Sequence, residues 1–120
     1  MPLMPIIGVI NNISKGVLDI MLTSNRRAVN LDNIAAGSQV LAKNENFKTM
    51  CFNFQEGSGL PKHTHDGIAS IFIVEGAVDM EFVGEGGLVL RHGDFLTFDA
   101  RKEHNIIAKE TSKVIITISQ

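Results

Sequence analysis

Two of the chain's four histidines, His63 and His65, sit one residue apart at the end of Gly57-Ser58-Gly59-Leu60-Pro61-Lys62-His63-Thr64-His65. If this stretch is extended, alternate side chains share a face, and the two backbones stand roughly 6–7 Å apart at ~3.3 Å per residue. That spacing suits two ligands on one ion, because neutral imidazole is the commonest protein metal ligand. A His-x-His pair alone also occurs on many surfaces. A third histidine, His104, follows downstream, and His92 stands before Gly93 in a turn, where a solvated loop role is expected.

The scaffold that must position these rings is small. The 120 residues fit one domain, which buries roughly two-thirds of the surface its unfolded chain would expose. A hydrophobic content of 44% with 20% charged residues fits a folded globular protein rather than a disordered one. The net charge of −2 gives no basic surplus, so neither nucleic acid nor an anionic membrane is the expected partner. The single cysteine, Cys51, allows no intramolecular disulfide and is expected to be a buried structural thiol. No signal-peptide pattern opens the chain and no run approaches the ~20 apolar residues of a membrane span. A cytoplasmic protein is the expectation.

From Ser38 onward the pattern is one of short strands separated by turns. Strands are expected at Val40–Lys43, at Phe47–Gln55 and at Ile68–Glu75, with Gly76 marking a bend or bulge. In the second of these, Met50, Phe52 and Phe54 alternate with Thr49, Cys51 and Asn53. Ala77–Val83 and Leu88–Arg91 flank a glycine-rich hairpin connection, and Phe95–Phe98, Asn105–Ala108 and Val114–Ser119 complete the set. Such spacing without a convincing helix predicts an all-β barrel or sandwich. The first 37 residues are less regular: Ile6–Ile10 reads as a strand, Val17–Met21 as a strand or short helix, Asn25–Asn30 as polar, and Leu31–Ala36 as a strand or turn. Residues 1–37 are read as an N-terminal arm that packs on or exchanges with a barrel formed by 38–120. Ordinary core packing is expected of all seven phenylalanines.

Residues 57–108 resemble the two motifs of the cupin superfamily, whose fold is a double-stranded β-helix, a jelly-roll-like barrel. In its first motif a Gly precedes His-x-His with five residues between, a Glu follows after three, and a Gly after six more. Gly57, His63, His65 and Gly76 match, while Ala69 stands at the Glu position. In the second motif Gly93 and His104 match, with Asp99 at the Pro position and Arg101 at the Gly position. The resemblance implies that His63, His65 and His104 converge on one divalent ion inside the barrel. Parity supports this for the first pair: His63, His65, Ala69, Ile71 and Ile73 would share a face if the strand were unbroken, although a turn at Asp66-Gly67 would break it. Met50, Phe52, Phe54, Ala69, Ile71, Ile73 and Ile106 are the expected lining of the pocket.

Without the carboxylate, three neutral imidazoles leave a divalent ion its full charge, which favours an anionic ligand or a chelating enolate. The ligand set does not discriminate among Fe, Ni, Zn, Mn and Cu. Asp66 is read as a loop residue rather than a substitute ligand, and Glu75 and Glu103 as surface charges. Two functions follow. One is a metal-dependent enzyme, most concretely a non-haem oxygenase, with the ion as Lewis acid or oxygen binder and an apolar cup around a small substrate. The thiol dioxygenase subtype with a Cys–Tyr crosslink is excluded, because the chain has no tyrosine. The other is a non-catalytic module that binds a small ligand or a metal, which the scarcity of acid and base candidates supports. Three histidines lining a metal-free pocket are the bland alternative. A homodimer is expected, since sheet edges must be covered and cupins of this kind often pair through N-terminal segments.

Overall fold

Among the described residues, alternation of apolar and polar residues is realised as nine strands: β1 (Ser38–Lys43), β2 (Phe47–Phe54), β3 (Gly59–His63), β4 (Ile68–Glu75), β5 (Ala77–Phe82), β6 (Gly86–Arg91), β7 (Phe95–Asp99), β8 (His104–Ala108) and β9 (Ser112–Ser119). The computed structural model describes residues 28–120. The expected elements at Ile6–Ile10 and Val17–Met21, most of the arm read as 1–37, and the start of Asn25–Asn30 lie outside the described residues. Leu31–Asn33 forms a single 3-10 turn capped by Asn30, whose Oδ1 accepts from the Asp32 N–H. No helix among the described residues is long and apolar enough to cross a membrane.

The strands pair antiparallel in two sheets, ordered β1-β2-β9-β4-β7 and β3-β8-β5-β6. From β3 to β9 every connection except the β5–β6 hairpin carries the chain from one sheet to the other, which is the all-β jelly-roll arrangement expected from the sequence. The sheets face each other across a core that includes Ile71, Ile73, Val78, Met80, Ile106 and Val114, all nearly or fully buried. Each such side chain contributes about 1.5–3 kcal/mol by leaving water. β9 is the most central strand, hydrogen-bonded to β2 on one side and β4 on the other.

The outer face of the five-stranded sheet behaves differently. Near β2 it is crossed by residues 30–37, held there by two side chains. Asn53 Nδ2 donates to the carbonyls of Ile34 (2.9 Å) and Ala36 (2.8 Å), and Lys113 Nζ donates to the carbonyls of Leu31 and Ile34. Cys51, on the same face of β2 as Asn53, is fully buried, in keeping with a structural thiol, and burial pushes its pKa up. Farther along this face Phe47, Phe72 and Phe95 are exposed, Phe95 to 64%. Core packing was expected of all three. Their parity instead directs them away from the opposing sheet: Phe72 and Phe95 are direct cross-strand partners on the outer surface.

Candidate metal and ligand site

The site is built on a strand pair in the smaller sheet. His63 ends β3, His104 begins β8, and the two are direct cross-strand partners, which puts both rings on one face, 4.4 Å apart between centroids. His65 lies beyond the end of β3, with its ring 5.1 Å from that of His63, and its backbone N–H donates to the Ala100 carbonyl at 2.8 Å. The unbroken strand through His63, His65 and Ala69 therefore does not exist. The chain leaves one sheet after His63 and enters the other at Ile68, passing Gly67 in the left-handed region (φ 102°). Ala69 still faces the same space because it lies on the opposing wall.

That space is a cavity of about 250 Å³, lined by His63, His65, His104, Met50, Phe52, Ala69 and Ile106, as expected, and by Lys48, Leu60, Pro61, Phe98, Ile116 and Ile118, which were not. Phe54, Ile71 and Ile73 do not line it. They sit on the inward faces of β2 and β4 but farther along the strands, where the two sheets close on each other and the side chains join the core. Of the residues missed, Lys48 was readable, because it shares the parity of Met50 and Phe52. Phe98, Ile116 and Ile118 required knowledge of which strands face the histidines.

Two of the rings are locked. His63 Nδ1 lies 2.6 Å from the Pro61 carbonyl oxygen and His104 Nδ1 lies 2.7 Å from that of Lys102. A carbonyl oxygen only accepts, so in each neutral ring Nδ1 carries the proton and Nε2 keeps its lone pair. This is the arrangement in which a histidine is oriented to ligate through Nε2. His104 is buried, packed edge-on against Phe98 at 5.0 Å, whereas His65 is exposed and no side-chain hydrogen bond fixes it among the described residues. Also among the described residues, no three His, Cys, Asp or Glu side chains already stand at metal-coordinating spacing. The rings gather around His63 without a finished ligand shell, and His65 is the one free to turn.

Burial pushes the His104 pKa down, opposed by its hydrogen bond with the Lys102 carbonyl and assisted by His63. Burial likewise lowers His65, with the charges of His63, His104 and Lys48 acting the same way against Asp66. Both rings are thus biased toward the neutral form that offers a lone pair. Among the described residues no carboxylate lines the cavity. At the Pro and Gly positions of the second motif, Asp99 and Arg101 form a two-pronged ion pair, Nε to Oδ1 and Nη2 to Oδ2 at 2.9 Å each, which closes the turn and holds Asp99 at about 2. Lys102 pairs with Glu85 at 2.9 Å. Arg101 and Lys102, the two cations just before His104, are therefore both paired with carboxylates.

Residues 50–119 match the Cupin domain family. The chain belongs to the cupin family. Among solved structures it is similar to an RmlC-like cupin from Desulfovibrio desulfuricans, at 26% identity over 78% of this chain and 95% of that one, with a TM-score of 0.70. It is also similar to a cupin superfamily protein from Desulfitobacterium hafniense DCB-2, at 23% identity over 78% and 91% of the two chains, TM-score 0.70, which bears on the fold alone. KdgF from Halomonas sp. aligns at 27% identity over 68% of this cupin and 76% of that chain, with a TM-score of 0.61. No curated protein matches.

Proposed function

We propose that this cupin binds a divalent metal ion through His63, His65 and His104 at the wall of its apolar cavity, and there takes a small anionic or chelating ligand. The observation that supports this most is the pairing of His63 and His104 across β3 and β8, with both Nδ1 protons committed to backbone carbonyls. The donor set fits a borderline metal such as Fe, Ni, Cu, Zn or Mn. When bound, such an ion would supply Lewis acidity or a redox centre for dioxygen chemistry, making a small non-haem oxygenase the enzymatic form of the proposal. The chain's own part is positional. Ordered imidazoles hold their lone pairs inward, and Phe52, Phe98, Ile106 and Ile116 exclude water and orient an apolar substrate.

One observation favours a second reading, a non-catalytic module that binds the same ligand without turnover. Among the described residues, no acid or base lines the cavity apart from the imidazoles and Lys48, and with the imidazoles ligated only Lys48 is left to move a proton. Elemental analysis of protein purified without added metal tests the metal. Near-stoichiometric metal in the wild type, lost in His63→Ala and His104→Ala, is expected, and metal-free wild type that takes up none on titration refutes it. Oxygen consumption across small diketones, thiols and phenols then separates the oxygenase from the module.

A further inference from the structure

Among the described residues, Lys48 is the one charged side chain besides the histidines that lines the cavity. It lies on the inward face of β2 with Met50 and Phe52, and is opposed on β9 by Ile118. On its other side its direct partner is Lys43 of β1. Residues directly opposite in an antiparallel pair share a face, and like charges placed so are destabilising. The two side chains therefore leave the β1–β2 ladder on the same face, Lys48 at the edge of the cup and Lys43 exposed beside it. Elsewhere the lysines and arginines that find carboxylates do so on the surface: Arg101 with Asp99, Lys102 with Glu85, Lys109 with Asp79. Among the described residues neither Lys43 nor Lys48 has an acidic side chain within ion-pair distance, and Lys48's charge reaches His65, opposing protonation of that ring.

A lysine with no carboxylate partner among the described residues, set in the wall of an apolar cup with a second lysine beside it, is complementary to one kind of molecule. We propose that Lys48, supported by Lys43, is the specificity residue of this cavity and selects a small apolar monocarboxylate, its carboxylate held by the Lys48 ammonium and its hydrocarbon or aryl body among Met50, Phe52, Phe98 and Ile116. The volume of about 250 Å³ falls below the ~300–1,000 Å³ of drug-sized sites, so the ligand is small. A phosphate ester fits less well, because among the described residues the lining offers no arginine fork for a doubly charged group. The proposal rests on the reading of this cavity as the ligand site and names its ligand's chemistry. It does not need the metal, since the anchor is the lysine.

The test uses the full chain, treated with chelator, and follows the 13C-methyl signals of Met50 and the cavity isoleucines while phenylacetate, hexanoate and the neutral isostere phenylacetamide are titrated. Phenylacetate or hexanoate is expected to shift these signals, with the amide binding roughly tenfold or more weakly, the range lost with a charge-assisted hydrogen bond. Lys48→Met should lose a similar factor for the acids and little for the amide, and Lys48→Arg should recover most of it. Equal binding of acid and amide, acids that bind Lys48→Met as well as wild type, or no shift with any acid each overturn the proposal. Metal content measured on the same variants keeps the two readings apart. Lys48→Met should still load metal, since all three imidazoles remain, and a wild type that takes up no metal leaves the carboxylate titration as it stands.

Discussion

Replacing Ala69 by glutamate probes the site most directly, because it puts a carboxylate on the wall opposite the histidine pair. Ala69 is 3% exposed and lines the same cavity as all three rings. The rings lie 4.4 and 5.1 Å from one another, which sets the length scale of the site. At about 5 Å and an effective dielectric constant near 20, a unit charge pair interacts by roughly 3 kcal/mol, and a divalent ion by about twice that. Burial favours the protonated form of the new carboxyl in the metal-free protein, and releasing that proton on metal binding offsets part of the gain. The net expectation is metal affinity at least about tenfold tighter, equivalent to about 1.4 kcal/mol. In the metal-free state His65 and His104 should titrate at higher pH than in the wild type, since a neighbouring anion favours the imidazolium. Competition titration with a zinc chelator gives the first quantity and histidine ring NMR the second. Dispersed 1H–15N spectra establish that the variant folds, which matters in a chain without Trp or Tyr, and Ala69→Gln controls for volume. A folded Ala69→Glu protein with unchanged zinc affinity and unmoved histidine titrations would show that Ala69 does not face the rings, and the proposed site would fall.

Three further outcomes follow from the geometry. Because the folded-state pKa values of His65 and His104 lie below the ordinary 6.5, the unfolded chain binds more protons just below that pH. The metal-free melting temperature should therefore fall as pH drops through about 6.5, and His65→Asn should lessen the fall; a flat profile between about pH 7.5 and 5 contradicts it. A Cβ at Gly59 would overlap the backbone carbonyl of Ile106 in the neighbouring strand, so Gly59→Ala should destabilise the fold by about 1–3 kcal/mol in urea unfolding, and an unchanged midpoint would show that β3 does not approach β8 so closely. Cys51, fully buried, should react with a thiol reagent only on opening, and Asn53→Ala, which removes the ties to Ile34 and Ala36, should speed that reaction; rapid labelling of the native wild type would contradict the placement.

Spacing and periodicity made much of this molecule legible before any coordinates. The strand over Ile68–Glu75 is found with the same bounds, and β2, β5, β7 and β9 within a residue or two, because alternate burial writes a period of two into the residues themselves. The strand Gly59–His63 was less visible, since it holds a Gly and a Pro and lies at the sheet edge, where Pro is tolerated. Histidine spacing singled out His63, His65 and His104, and β2 parity placed Met50 and Phe52 on the inward face.

Parity, however, says only which side of a strand a residue occupies. It could not say that Phe54, Ile71 and Ile73 stand where the sheets close, whereas Phe52 and Ala69 stand where they part, because depth along the barrel depends on the register between strands distant in sequence. Nor could it say that Phe72 and Phe95 pair on the outside. The sequence alone determined the architecture and the chemical types at the site, since hydrophobic alternation and imidazole chemistry are local properties. Only the tertiary structure brought His104 beside His63 across more than forty residues and set Lys48 in the wall of the same cavity, since those relations come from strand pairing and sheet packing, not from neighbours in the chain.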